Sequence, residues 1–188
     1  PGFVCNGDSM AHANKGVVAY KIDGTRDINM TECTATDVVN YGEEGSTRCG
    51  YYEYSLRSAT LPGYGGAEVR GFSLAGSKDG TLTDCAVVNL DSPKGTVVGY
   101  DIHTDGGNIT LINCSESGLV AGSRDAVNTA GTPVTANPMT RCNAFGVRMG
   151  TQTHDNEVRQ YCSSDITSPL GVAAEVVVNG RNNRVSGE

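Results

Sequence analysis

Asp101, His103 and Asp105 stand at alternate positions in the run Tyr100-Asp101-Ile102-His103-Thr104-Asp105. In an extended chain alternate side chains project from the same face, so the three can act together. Two carboxylates around an imidazole could serve acid–base catalysis or offer oxygen ligands to a calcium ion. Arg148 and Lys21 occupy comparable places in their own runs and would add cations if neighbouring segments lie alongside. The competing reading is a solvated strand face whose charges keep a sheet soluble, because charged side chains are mostly exposed. On that balance no residue is assigned a catalytic role, and Asp101, His103, Asp105 and Arg148 are the positions to inspect. Neither Cys-x-x-Cys nor a paired-His spacing occurs, so no transition-metal site is expected.

The elements that must position these residues are short and recurrent. Tyr20-Lys21-Ile22 leads through Gly24-Thr25-Arg26-Asp27 to Met30-Thr31-Glu32-Cys33 and Val38. The same order returns in Phe72-Ser73-Leu74, Gly76-Ser77-Lys78-Asp79, Leu82-Thr83-Asp84-Cys85 and Leu90, then in Gly99 to Ile102, Leu111 to Cys114 and Leu119. A fourth copy is read in Met139-Thr140-Arg141-Cys142 with Val147, and a degenerate fifth reaches Cys162. The cysteines at 33, 85, 114, 142 and 162 lie 52, 29, 28 and 20 residues apart, which gives a unit of about 28. The long first interval holds an excursion at residues 42–65, rich in Gly, Ser and Tyr. Alternation with period two, and no helical face, reads as stacked strands with glycines at the bends. Tyr20, Ile22, Phe72, Leu74, Tyr100, Ile102, Val147 and Met149 then face inward, and Lys21, Ser73, Asp101 and Arg148 share an outer face.

Composition agrees. The chain has 188 residues with 25 Gly, no Trp and three Phe, and its small β-branched residues suit a narrow stacked interior. A net charge of −7 without a basic run disfavours nucleic acid, and no apolar run is long enough to span a bilayer. The Gly-[Ser/Thr]-[Arg/Lys]-Asp segments ending at Asp27, Asp79 and Asp125 read as turn devices, since Asp bonds readily to nearby backbone.

The repeated grammar, clearest in Asn108-Ile109-Thr110-Leu111-Ile112-Asn113-Cys114, resembles the right-handed parallel β-helix proteins of the pectate-lyase-like group at the level of fold, over residues 16–188. The resemblance implies an all-β, single-domain right-handed parallel β-helix of about six coils, spaced about 4.8 Å apart, with residues 1–15 as an N-terminal segment or cap. Its carbohydrate-active members imply chemistry on the Asp101 face, with calcium polarising a uronate. Yet the Asp-Asp, Gly-His-Gly and Arg-x-Lys signatures of the polygalacturonase-like members do not occur.

Five cysteines at one repeat position, Cys33, Cys85, Cys114, Cys142 and Cys162, form an expected internal ladder of mostly reduced thiols. Stacked side chains point the same way, which suits packing better than the torsion of a disulfide. Cys5 and Cys49, outside the ladder, are the expected bonded pair. Asn29, Asn108 and Asn113 head glycosylation sequons. Repeated structural positions without a concentrated catalytic set lead to the expectation of a secreted, glycosylated structural solenoid. It would build an extracellular filament or surface appendage by head-to-tail self-association, and whether it is also an enzyme stays open. The alternatives are a carbohydrate-active β-helix enzyme or binding module, in which Asp101→Ala abolishes cleavage without unfolding, and a phage or adhesin spike segment.

Overall fold

The computed structural model describes residues 3–5, 17–40, 68–92, 95–122, 143–169 and 171–186. Among them are fifteen strands and no helix, arranged in three all-parallel sheets of five. The first sheet runs β1 (Phe3–Cys5), β4 (Thr34–Asn40), β7 (Ala86–Ser92), β10 (Ser115–Ala121) and β13 (Cys162–Thr167). The second runs β2 (Val17–Asp23), β5 (Val69–Ala75), β8 (Val97–His103), β11 (Ala144–Met149) and β14 (Ala173–Val178). The third runs β3 (Arg26–Thr31), β6 (Lys78–Thr83), β9 (Gly107–Ile112), β12 (Glu157–Arg159) and β15 (Arg184–Ser186). Every third strand therefore returns to the same sheet, an order consistent with a β-helix or solenoid-like fold. Five strands per sheet stand where about six coils were expected, and Phe3–Cys5, expected in a terminal segment or cap, pairs with β4.

The register stacks like on like. Tyr20, Phe72, Tyr100, Val147 and Val176 form one column of the second sheet. Its rings stack nearly parallel, with centroids 4.6 Å apart for Tyr20 and Phe72 and 5.1 Å for Phe72 and Tyr100. Ile22, Leu74, Ile102, Met149 and Val178 form the next inward column, and Met30, Leu82, Leu111, Val158 and Val185 line the third sheet. Val38, Leu90, Leu119 and Ile166 do so on the first. The core is thus a set of axial columns, and the inward residues expected from alternation all belong to it.

The bends are made by residues in the left-handed region. Glu32, Asp84, Asn113 and Gln160 have φ of 54°, 54°, 51° and 51°, each the first of the two residues joining the third sheet to the first. Asp27, Asp79, Asn108, Asp155 and Asn182, φ 54° to 58°, align along the third sheet and its extension. Asp37, Asn89, Gly118 and Asp165 align along the first. Asn and Asp tolerate this conformation better than other residues with a β-carbon. In these columns Asn amides donate to the Asp one strand earlier: Asn89 to Asp37 at 3.0 Å, Asn108 to Asp79 at 2.9 Å, Asn113 to Asp84 at 2.5 Å and Asn182 to Asp155 at 3.1 Å. Gly118 fits because a β-carbon there would lie 2.7 Å from the Asn89 amide oxygen.

The cysteine reading needs two corrections. Cys33, Cys85 and Cys114 do align, each the second residue of a two-residue corner whose thiol donates to the carbonyl two residues back at 3.5 Å. At the next corner that place belongs to Tyr161, while Cys162 pairs with Ser115 one residue further on and is exposed. The segment after Cys142 is no fourth copy of the first-sheet strand, because β11 pairs with β8 and Val147 aligns with Tyr100. Cys142, Cys49 and Asp125 lie outside the described residues. So do the 42–65 excursion and the side chain of Cys5. Cys33, Cys85, Cys114 and Cys162 are free thiols.

Candidate functional site

The column Lys21, Ser73, Asp101, Arg148 and Val177 lies on the outer side of the second sheet, opposite the inward-facing rings. β8 places Asp101 between β5 and β11, so it meets guanidinium groups from both sides. Arg148 holds it in a fork, with Nε 2.8 Å from Oδ1 and a terminal nitrogen 2.7 Å from Oδ2. Arg70 approaches Oδ2 with Nε at 3.1 Å, an ion-pair contact whose N–H is off-axis for a hydrogen bond. Glu68 closes the network, accepting from Arg70 at 2.7 Å and Arg148 at 3.2 Å. Asp101 is wholly buried beneath these arginines. Burial works against the Arg148 charge, but the hydrogen bonds and charge of Asp101, with Glu68, outweigh it and hold the guanidinium above its ordinary value.

His103 completes the cluster. Its Nε2 lies 3.0 Å from Ser73 Oγ, 3.3 Å from an Arg70 nitrogen and 3.7 Å from Asp101 Oδ2. An arginine nitrogen can only donate, so Nε2 is the acceptor and Nδ1 carries the proton toward Thr104 Oγ1 at 2.9 Å. Burial lowers the His103 pKa despite the nearby Asp101, and Arg70 and Arg148 lower it further, which agrees with a neutral ring. A neutral imidazole accepting from a serine hydroxyl is a general-base arrangement in outline. Ser73, however, is 2% exposed and Asp101 is fully committed to arginine, so neither presents an atom to a substrate.

Asp105 does not join this group. It lies in the turn after β8, paired with Lys78 at 2.9 Å and 3.8 Å from His154, and the Lys78 hydrogen bond holds its carboxyl below the usual range. Lys21 reaches Asp23 instead, at 3.7 Å with both side chains exposed. Among the described residues no group of three or more His, Cys, Asp or Glu side chains is arranged to hold a metal ion. The three sequon asparagines also separate: Asn29 is an exposed residue of β3, whereas the amides of Asn108 and Asn113 are donors in the ladders.

Sequence reasoning missed a second carboxyl. Glu116 aligns in the first sheet with Ala35, Val87 and Ser163, an inward column, and is 3% exposed. The Tyr161 and Ser163 hydroxyls both donate to it. Burial pushes its carboxyl up to about 7, against the Ser163 hydrogen bond and with help from the charge of Glu175. The available signal was a glutamate at a repeat position held by Ala35 and Val87. Glu157, nearly buried in β12, is the opposite case. The Arg159 hydrogen bond, with Arg184 alongside, brings its carboxyl down to about 2.

No protein-family model, curated protein or solved structure matches the chain. The three parallel sheets fit a β-helix or solenoid-like fold, and no match supports membership of the pectate-lyase-like group. No helix among the described residues is long and apolar enough to cross a membrane.

Proposed function

We propose that this chain is a structural segment of right-handed parallel β-helix, secreted and glycosylated, that extends an extracellular filament or surface appendage by coil-on-coil stacking. One observation supports the reading above others: the polar side chains bond from strand to strand along the axis. Asn-to-Asp ladders and the Arg70, Asp101 and Arg148 network both run that way. Groups that could do chemistry are thereby used to fix the stack.

The edge of β14 and β15 supplies a surface for it. Val178 and Val185, 43% and 50% exposed, continue core columns that begin at Ile22 and Met30. A second copy presenting its β2 and β3 edge would set Ile22 on Val178 and Met30 on Val185, with backbone groups pairing across the seam. Electron microscopy of native protein at near-physiological salt tests this, with intact mass before and after deglycosylation. Regular fibres with excess mass support the reading. Discrete particles of unmodified mass remove it and leave the Asp101 face, tested by cleavage of an acidic polysaccharide panel, as the second reading.

A further inference from the structure

Glu116 stands inside the stack, 3% exposed, facing two glycines of the second sheet. On the facing wall are Gly99 and Gly146, and a β-carbon on Gly146 would lie 2.7 Å from Glu116 Oε1 and 2.5 Å from the Glu175 carbonyl. The hydroxyls of Tyr161 and Ser163 reach the carboxyl from the corner before β13 and from β13 itself. The ionisable groups acting on it are Glu175 of β14, and the phenols of Tyr100 on β8 and Tyr161. All are acidic, so a charge on Glu116 meets hydroxyl dipoles and no cation from these neighbours. This contrasts with Asp101 and Glu157, which sit against guanidinium groups.

Ser163 also lines a cleft of about 340 Å³ between β13 and β14, with Ser164, Asp165, Ile166, Ala173, Ala174 and Glu175. Ser163 ties this cleft to Glu116, because its hydroxyl donates to the carboxyl and the same residue forms part of the cleft wall. An uncompensated buried carboxylate is relieved most cheaply by admitting water.

We infer that Glu116 is a proton-operated latch: protonated, it keeps β13 and β14 closed over the interior, and on losing its proton to solvent it opens that edge to water. The inference goes beyond the stacking proposal and holds or fails in a single molecule. Its direction follows from the carboxyl's raised value. Stability from the neutral group is complete below about 4.5, the ordinary value, and is lost as pH rises through about 7. Native charge on Glu175 adds to the effect, while Tyr100, pushed up by burial, stays neutral throughout.

Hydrogen exchange of the full chain at dilute concentration, corrected for intrinsic rates, reads the latch. Amides of Cys162–Thr167 and Ala173–Val178 should lose protection by on the order of 100-fold between pH 5 and pH 8, while those of β5 and β8 stay unchanged. Glu116→Gln, which keeps the shape and cannot ionise, should flatten the profile, and Glu175→Gln should move its midpoint down without abolishing it. Equal protection at both pH values in the wild type, or the same pH dependence in Glu116→Gln, overturns the inference. Should that variant fail to fold, carboxyl carbon NMR of the wild type decides: a Glu116 midpoint near 7 supports the latch and one near 4.5 overturns it. Polymer formation is read separately by microscopy, so either idea can fail alone.

Discussion

Asp101 has no solvent contact, and two guanidinium groups stand where its hydration shell would be. Removing it leaves Arg70 and Arg148, whose own side chains are only 21% and 26% exposed, to share the single carboxylate of Glu68. Asp101→Ala should therefore lower unfolding free energy by about 3 kcal/mol in a denaturant titration. This revises the expectation that the substitution leaves the fold intact. Pairing it with Arg148→Met should recover part of the loss, since the excess buried positive charge is then reduced. A double mutant no more stable than Asp101→Ala would show that the fork contributes little. At the same scale the three sequons diverge: a glycan is expected at Asn29, and its absence at Asn108 and Asn113, whose amides serve Asp79 and Asp84. Peptide mapping after enzymatic deglycosylation checks each site.

The elements explain what could be read from sequence alone. Asp79 and Asn108, like Asp84 and Asn113, are separated by one repeat, so ladder partners were present in the spacing. The corner cysteines were equally visible, because each follows a bend residue and precedes a first-sheet strand. Two things were hidden. Tyr161 takes the fourth corner in place of a cysteine, and Cys142 happens to fall 28 residues after Cys114 although the next first-sheet strand begins at Cys162. Loop length costs little free energy, so a long connection leaves no penalty that a period could reveal. The Asp101 network was half legible: the outer column was read correctly, but Glu68 and Arg70 come from a neighbouring row and burial of the carboxylate cannot be seen in spacing. Asn108→Ala should cost about 2 kcal/mol by losing a hydrogen bond and straining a left-handed backbone, and Asn108→Gly about half, as thermal denaturation would show. Gly99→Ala should be worse than either, because its new methyl carbon would meet the Gly146 carbonyl oxygen at 2.6 Å.

Across the whole molecule the three corners behave differently. The passage from third to first sheet always takes two residues, Glu32-Cys33, Asp84-Cys85, Asn113-Cys114 and Gln160-Tyr161. The passage from first to second sheet ranges from four residues between β7 and β8 to 28 between β4 and β5. The passage from second to third sheet ranges from two residues between β2 and β3 to seven between β11 and β12, so the longest connections share one seam, and the ladders that hold the stack run elsewhere. A ten-residue Gly/Ser insert between Pro93 and Lys94 should shift the melting temperature by no more than a few degrees, whereas the same insert between Asp84 and Cys85 should prevent cooperative unfolding. The molecule is in effect a rail with one main mounting edge. What is attached along that edge can change in size and sequence from one position to the next while the rail, and whatever joins rail to rail, stays the same.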